Sequence, residues 1–294
     1  MSDLAGEDAD AAVWPAIAAA RRQQVARVPF WVGGERVGSV AVEHLAALGR
    51  WPGWIERGRE GITLVVPPAA RGEALAVMNE ALRAEGLIVA WRDEPFTLWS
   101  AAGDVELAVI ERAATRFWGT LTRGAHCTGF VRGSDRRPGE IWIARRSAHK
   151  ATDPGKLDNL VGGGVPRGQT ARQALHREGF EEAGLDATTM QRALAGSVIE
   201  IACDIAEGFM HEHLHSFDLE LPRGITPQNQ DGEVVSFDCV PVQEAARLAA
   251  GEAMTVDAAL VTLDFLLRHG LLAAHDERRV AAPLAQLAAR GAPK

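Results

Sequence analysis

A chain of 294 residues can hold one large domain or two ordinary ones, and 47% hydrophobic with 24% charged residues is the balance of a soluble globular protein. Its net charge of −8 argues against a nucleic-acid surface, and no apolar run approaches the ~20 residues of a membrane helix. The acidic start at Asp3, Glu7, Asp8 and Asp10 lacks the basic-then-apolar order of a secretory signal, and Cys127, Cys203 and Cys239 suggest neither a disulfide framework nor a thiolate zinc site, so a cytoplasmic protein is expected.

Taken in order, the sequence predicts a helix over 13–27 and then a hairpin, because apolar runs at 29–32 and 37–40 flank Gly33 and Gly34. A short strand at 62–66 precedes a helix over 72–85, whose Ala74, Leu75, Met78, Ala81 and Leu82 recur at helical spacing. Strands are expected at 87–91 and 96–99, and a helix over 106–117 closes this front unit. Residues 1–117 then form a small α+β domain with no catalytic constellation but six of the eight tryptophans, Trp14, Trp31, Trp51, Trp54, Trp91 and Trp99. Burial in a core is the ordinary fate of tryptophan. The sharper alternative is that one or two line a pocket, stack on a flat ligand and help recognise a substrate.

A second unit, residues 118–275, opens with strands over 120–131 and 140–145 around a charged turn. Strands at 193–203 and 211–221, another after the turn at 227–234, and a helix over 257–269 complete an α/β unit with a mixed sheet. Residues 276–294 are left as a terminal helix or tail that looks dispensable. His211, His213 and His215 alternate, so they share one strand face. Acidic or cysteine partners at closed-site spacing are absent, so hydrogen-bonded histidines are expected there rather than zinc ligands.

Chemistry concentrates in one stretch, Gly163 to Leu185. On a helix at about 100° per residue, Glu178, Glu181 and Glu182 fall within an arc of roughly 100°. Carboxylates crowded in this way repel one another, and a hard divalent cation relieves the repulsion: Mg²⁺, or Mn²⁺, takes oxygen ligands and bridges to substrate phosphates. Arg177, four residues before Glu181, can pair with it and fix its orientation. Gly184 supplies the helix stop, and Gly162 to Gly164 allow a sharp turn or a close backbone approach to a ligand. The preceding loop holds Lys150 and Lys156, two of only three lysines against 28 arginines, and with Arg145 it offers the basic approach that a diphosphate requires. Glu233 can add a further carboxylate. A solvated acidic helix end is the plainer alternative; the glycine start, the spacing, the arginine and the final glycine together favour a metal site.

This stretch resembles the Nudix box. Five residues separate Gly163 from Gln169 and seven separate Gln169 from Arg177, followed by the Arg-Glu-x-x-Glu-Glu-x-Gly run and Leu185. Gln169 departs from the usual Glu, and Gly179 from the usual aliphatic residue. Further segments, Pro154 to Val161, Asp218 to Pro222, Asn229 to Val234 and Ala258 to Gly270, resemble the branch related to the Nudix half of fungal thiamine pyrophosphokinases. The front unit, with its hairpin at residues 34–38, resembles that branch's uncharacterised N-terminal domain.

The resemblance implies a Nudix α/β/α sandwich with a mixed sheet, preceded by a small α+β domain. It also implies a Mg²⁺-dependent hydrolase of a small-molecule diphosphate, thiamine diphosphate or its oxidised, damaged analogues, giving the monophosphate and phosphate. Glu178, Glu181 and Glu182 would hold the metal; Glu178, as base, with Glu181 and Arg177 would serve catalysis; Lys150, Lys156, Arg145, Gly163 and Gly164 would meet substrate. A homodimer is common for such a fold. The alternatives are hydrolysis of another nucleoside diphosphate-X such as ADP-ribose and, in a different class, a non-catalytic sensor.

Overall fold

The computed structural model describes residues 14–289. It begins with a short helix, α1 (Pro15–Ala19), rather than one reaching residue 27. Arg21, Arg22, Gln23 and Gln24 offer no apolar face to continue it. The backbone there pairs sideways instead: the carbonyls of Ala20 and Arg22 accept the N–H groups of Ala202 and Asp204 at 2.8 Å each, and the Asp204 carboxylate accepts those of Gln24 and Val25.

The hairpin follows as β1 (Arg27–Val32) and β2 (Glu35–Ala41), turned by Gly33 and Gly34 at φ of 64° and 85°, values that L side chains resist. After α2 (Leu45–Leu48) come β3 (Ile55–Gly58) and β4 (Gly61–Leu64). They complete a four-stranded sheet of order β2-β1-β4-β3. Next are α3 (Arg71–Ala84), β5 (Pro95–Trp99), β6 (Glu106–Glu111) and α4 (Ala114–Trp118). Residues 106–111 are therefore strand, not helix. Glu-Leu-Ala-Val-Ile-Glu has a period of two, with Ala108 and Ile110 buried, and it pairs with β5. Residues 87–91 form no strand. Phe30, Leu75, Met78 and Trp118 anchor the front core, and the Trp118 indole donates to Asn79 Oδ1 at 2.8 Å.

The rear sheet starts with β7 (Leu121–Arg132) and β8 (Pro138–Arg146), then the short β9 (Leu157–Asp158) and β10 (Val161–Gly164). Helices α5 (Ala171–Ala183) and α6 (Ala187–Met190) lead to β11 (Leu194–Ile205), β12 (Gly208–Glu220) and β13 (Val234–Pro241). The chain then forms α7 (Val242–Ala249), α8 (Val256–Arg268) and α9 (Ala274–Ala285). Strand order is β11-β12-β7-β8-β13, with β10 added to β7 and β9 to β8; β12 runs parallel to β7 and the other pairs are antiparallel, so the sheet is mixed. Its two faces carry separate cores. Leu214, Ile199 and Ile201 pack with α8, α1, α7 and α9 on one side, while Ala125, Phe217 and Leu219 pack with α5 and α6 on the other. The result is an α/β/α sandwich preceded by a small α+β unit.

The first and last described segments both close on the rear core. Trp14 and Ile17 of α1 join it rather than the front sheet, and so do Val280 and Leu284 of α9 and Leu287 beyond it. The Glu200 N–H donates to Leu287 O at 2.6 Å and the Ala289 N–H to Val198 O at 3.0 Å. Residues 276–289 of the terminal segment are part of the fold, not a dispensable tail, and residues 290–294 lie outside the described residues. No helix among the described residues is long and apolar enough to cross a membrane.

Candidate active site

Helix α5 is fixed at both ends by local chemistry. Thr170 Oγ1 accepts the Gln173 N–H at 3.2 Å while Gln173 Oε1 accepts the Thr170 N–H at 2.9 Å, a reciprocal cap. At the other end Gly184 adopts φ 64° and donates to Phe180 O at 2.9 Å. Gly179 is explained by packing: a Cβ there would stand 2.6 Å from Met190 Sδ, so α6 fills the space of the usual aliphatic residue.

Between the caps, Arg177 spans two carboxylates, donating from Nη1 to Glu181 Oε2 at 2.7 Å and from Nη2 to Glu178 Oε1 at 2.8 Å. Glu182, only 4% exposed, accepts the Gly162 N–H at 2.9 Å and Lys150 Nζ at 3.1 Å. Lys150 also pairs with Glu233. Burial pushes the Glu182 carboxyl up to about 7 against the pull of Lys150 and Gly162. Glu178 is raised for the same reason, with Arg177 opposing. Burial alone would lower Lys150, but Glu182 and Glu233 outweigh it and hold the ammonium charged.

Gly162, Gly163 and Gly164 are strand rather than turn, paired in β10 with His126, Ala125 and Gly124 of β7. Each lacks a side chain because a neighbour occupies its place. A Cβ on Gly163 would lie 2.3 Å from Glu178 Oε1, on Gly162 2.6 Å from the His126 ring, and on Gly164 2.8 Å from Phe96 of the front unit. The glycine run is thus the floor on which the Glu178 carboxylate and the front unit converge.

A cavity of about 890 Å³ opens there. Glu178, Glu181, Arg177, Gly163 and Gly164 form one part of its wall, and Lys150, Lys156 and Glu233 face it from the loops. Glu182 sits behind this wall, joined through Gly162 and Lys150. Lys156 is partly engaged by Asp153 at 2.8 Å. Arg145 does not line the cavity: strand alternation turns it away, toward the Gly155 carbonyl at 3.1 Å. Its neighbour Arg146 takes that place, bonded to Asp158 Oδ2 at 2.7 Å. No tryptophan lines the cavity, and Phe96 is its aromatic residue.

Sequence reasoning missed the opposite wall. Arg92, Glu94 and Arg112 come from the front unit, with Arg112 Nη1 2.8 Å from Glu94 Oε2. Arg116, Glu212 and Asp257 form a further group. Arg116 Nη2 lies 3.0 Å from Glu212 Oε2, which also accepts from Thr122 Oγ1 at 2.8 Å. Asp257, in the first turn of α8, has its Oδ1 buried without a partner, and burial together with Glu212 raises its carboxyl to about 6. These residues are scattered from 92 to 257, and no local spacing marks them.

The α5 carboxylates and Glu233 make an all-oxygen donor set beside a backbone stripped of side chains. By donor type that set suits a hard divalent cation, Mg²⁺ or Mn²⁺; Arg177 and Lys150 hold its oxygens apart here, so the carboxylates would have to draw together around an ion that takes over the role of those cations. His211 and His213 lie outside this cavity, and an acidic partner does exist for them: Glu200, opposite His213 on β11.

Comparison with known proteins agrees with the sequence motif. A profile described as a NUDIX domain matches residues 122–259, and one described as a domain of unknown function (DUF4743) matches residues 13–122. Nudix hydrolase 24, chloroplastic, of Arabidopsis thaliana is 36% identical over 208 residues, 70% of this chain and 56% of that protein. A Deinococcus radiodurans protein named Nudix hydrolase is 31% identical over 131 residues, 44% of this chain and 71% of its own length. A crystal structure from the same organism is 25% identical, covering 57% of this chain and 97% of that chain with a TM-score of 0.42. The chain spans only a little over half of the Arabidopsis relative, 56%.

Proposed function

The chain belongs to the Nudix hydrolase family, and from that premise we propose that it is a Mg²⁺-dependent diphosphate hydrolase acting on thiamine diphosphate or its oxidised analogues. The observation that carries the reading is the single cavity shared by two chemistries. At α5 it presents carboxylates and Lys150, as a metal-bound diphosphate needs; elsewhere it presents Phe96, Glu212 paired with Arg116, and Asp257, whose Oδ1 has no partner. An unpartnered carboxylate in the same cavity as a diphosphate site favours a moiety carrying positive charge or amino donors on a flat ring, which the thiazolium and aminopyrimidine of thiamine supply.

In this mechanism Glu178, Glu181 and, once it exchanges its bond to Lys150, Glu182 would hold the metal. A bound Mg²⁺ supplies charge neutralisation on the diphosphate and a lowered pKa for water. Arg177 keeps Glu178 and Glu181 oriented through its two bonds. Lys150, Lys156 and Arg146 offset charge on the phosphates. Glu178, its pKa raised by burial, accepts the proton of the attacking water. The P–O–P bridge then breaks, leaving the monophosphate and inorganic phosphate.

The test is phosphate release from a panel of thiamine diphosphate, its oxidised analogues, ADP-ribose and nucleoside triphosphates, with Mg²⁺. Turnover of the thiamine compounds, abolished by Glu178→Gln with Glu182→Gln, is expected. Turnover of ADP-ribose or nucleotides alone would keep the hydrolase and overturn the thiamine substrate; silence across the panel would favour a ligand sensor.

A further inference from the structure

The rear sheet holds a second cluster of donor side chains that diphosphate hydrolysis does not use. β11 and β12 pair with Glu200 opposite His213 and Ala202 opposite His211. Directly opposed residues in an antiparallel pair point to the same side, as do residues two apart in one strand. Glu200, His211 and His213 therefore share a face. Glu200 Oε1 lies 3.3 Å from His211 Nε2, and the two imidazole rings meet edge-on with centroids 6.2 Å apart. Taking one donor atom from each residue, the three lie within 4.8 Å of one another, and no other such group of three occurs among the described residues.

We propose that Glu200, His211 and His213 form a second metal site, selective for an imidazole-preferring divalent cation such as Zn²⁺. Two imidazoles and one carboxylate are the donor set of a tetrahedral zinc site that leaves its fourth position to water or a ligand. The α5 set is all oxygen, so the two sites sort different metals by donor type. Donors bound tetrahedrally at ~2.0–2.1 Å stand roughly 3.4 Å apart, so the cluster must contract a little. His213 is buried, whereas the His211 and Glu200 side chains are 29% and 37% exposed, which leaves the contraction to them.

The surroundings permit this. His211 lines a second cavity, of about 390 Å³, separate from the one at α5; Arg27 and Arg36 line it too, with Arg27 bonded to Ser39 and stacked over Phe209. The nearest cations are drawn elsewhere. Arg123, beside His213 in the register, stacks over Trp99 at 4.0 Å and donates to Gly103 O, and Arg21 donates to Gln286 O. An ion held there would clasp β11, the outermost strand of the sheet order, to β12.

The experiment titrates Zn²⁺ by calorimetry into the full chain carrying Glu178→Gln and Glu182→Gln, which removes carboxylates from the α5 set. One Zn²⁺ per chain is expected, and Co²⁺ in its place should give the visible bands of a four-coordinate ion. Adding His211→Asn or, separately, Glu200→Gln should each weaken Zn²⁺ binding by at least ~10-fold. Both side chains are partly exposed, and an unchanged metal-free melting transition shows that the variants fold. No Zn²⁺ bound by the α5 double variant, or equal affinity after either added substitution, overturns the proposal.

Discussion

The two walls of the main cavity differ in how their residues are distributed along the chain. The α5 wall comes from one contiguous stretch, with Arg177, Glu178 and Glu181 set by helical spacing, Glu182 behind them, and each held by a named partner. The facing wall gathers Arg92 and Arg112 from the front unit, Arg116 from α4, Glu212 from β12 and Asp257 from α8. What this teaches is a division of labour. Chemistry common to a reaction class can be packed into one helix, whereas a choice among substrates can be assembled from residues brought together only by folding.

That contrast can be broken at several points, beginning with the contiguous wall. Glu178→Gln with Glu182→Gln removes two of the three proposed oxygen ligands and the proposed base, and kcat for the preferred panel substrate should fall by about 10²–10⁴-fold with the fold intact by circular dichroism. Next in size is a change in neither wall. Leu287→Ala opens a hole beneath the segment that ties the chain end to β11, and chemical denaturation should show a loss of about 2–4 kcal/mol.

Much of this architecture was legible because it is local. The glycine hairpin at Gly33 and Gly34, the α3 spacing and the whole of α5 depend on residues within a few positions of one another. Where the reading failed, a distant partner decided the outcome. The 87–91 run is apolar yet finds no strand to pair with, and residues 106–111 carry a period of two that a helix reading overlooked. Gly162 to Gly164 read as a turn or a close approach to a ligand because a sequence does not reveal that Glu178, His126 and Phe96 stand where their side chains would be. Arg145 and Arg146 could not be told apart until the pairing of β8 set which of them faces the cavity.

The scattered wall yields smaller effects. Arg112→Gln should raise KM about 10-fold or more with kcat less affected, a loss of ~1–3 kcal/mol in substrate binding measured by steady-state kinetics. Asp257→Asn separates stability from recognition. The folded carboxyl titrates at about 6 against an ordinary 3.8, so ionising it costs the fold; that cost grows as pH rises from about 4 to about 6 and is complete above. The variant should be about 1–2 kcal/mol more stable than the wild type at pH 7.5 and no different below pH 4, while KM for a thiamine substrate rises. Arg145→Gln, facing away, should change stability by less than about 0.5 kcal/mol and leave KM alone.

The most direct measurement is the Mg²⁺ dependence of the melting temperature, compared between the wild type and Glu178→Gln with Glu182→Gln. A cation that binds only the folded chain raises its stability by mass action. The account predicts a rise with Mg²⁺ in the wild type that disappears in the double variant. An equal rise in both would place the cation away from α5 and contradict the account.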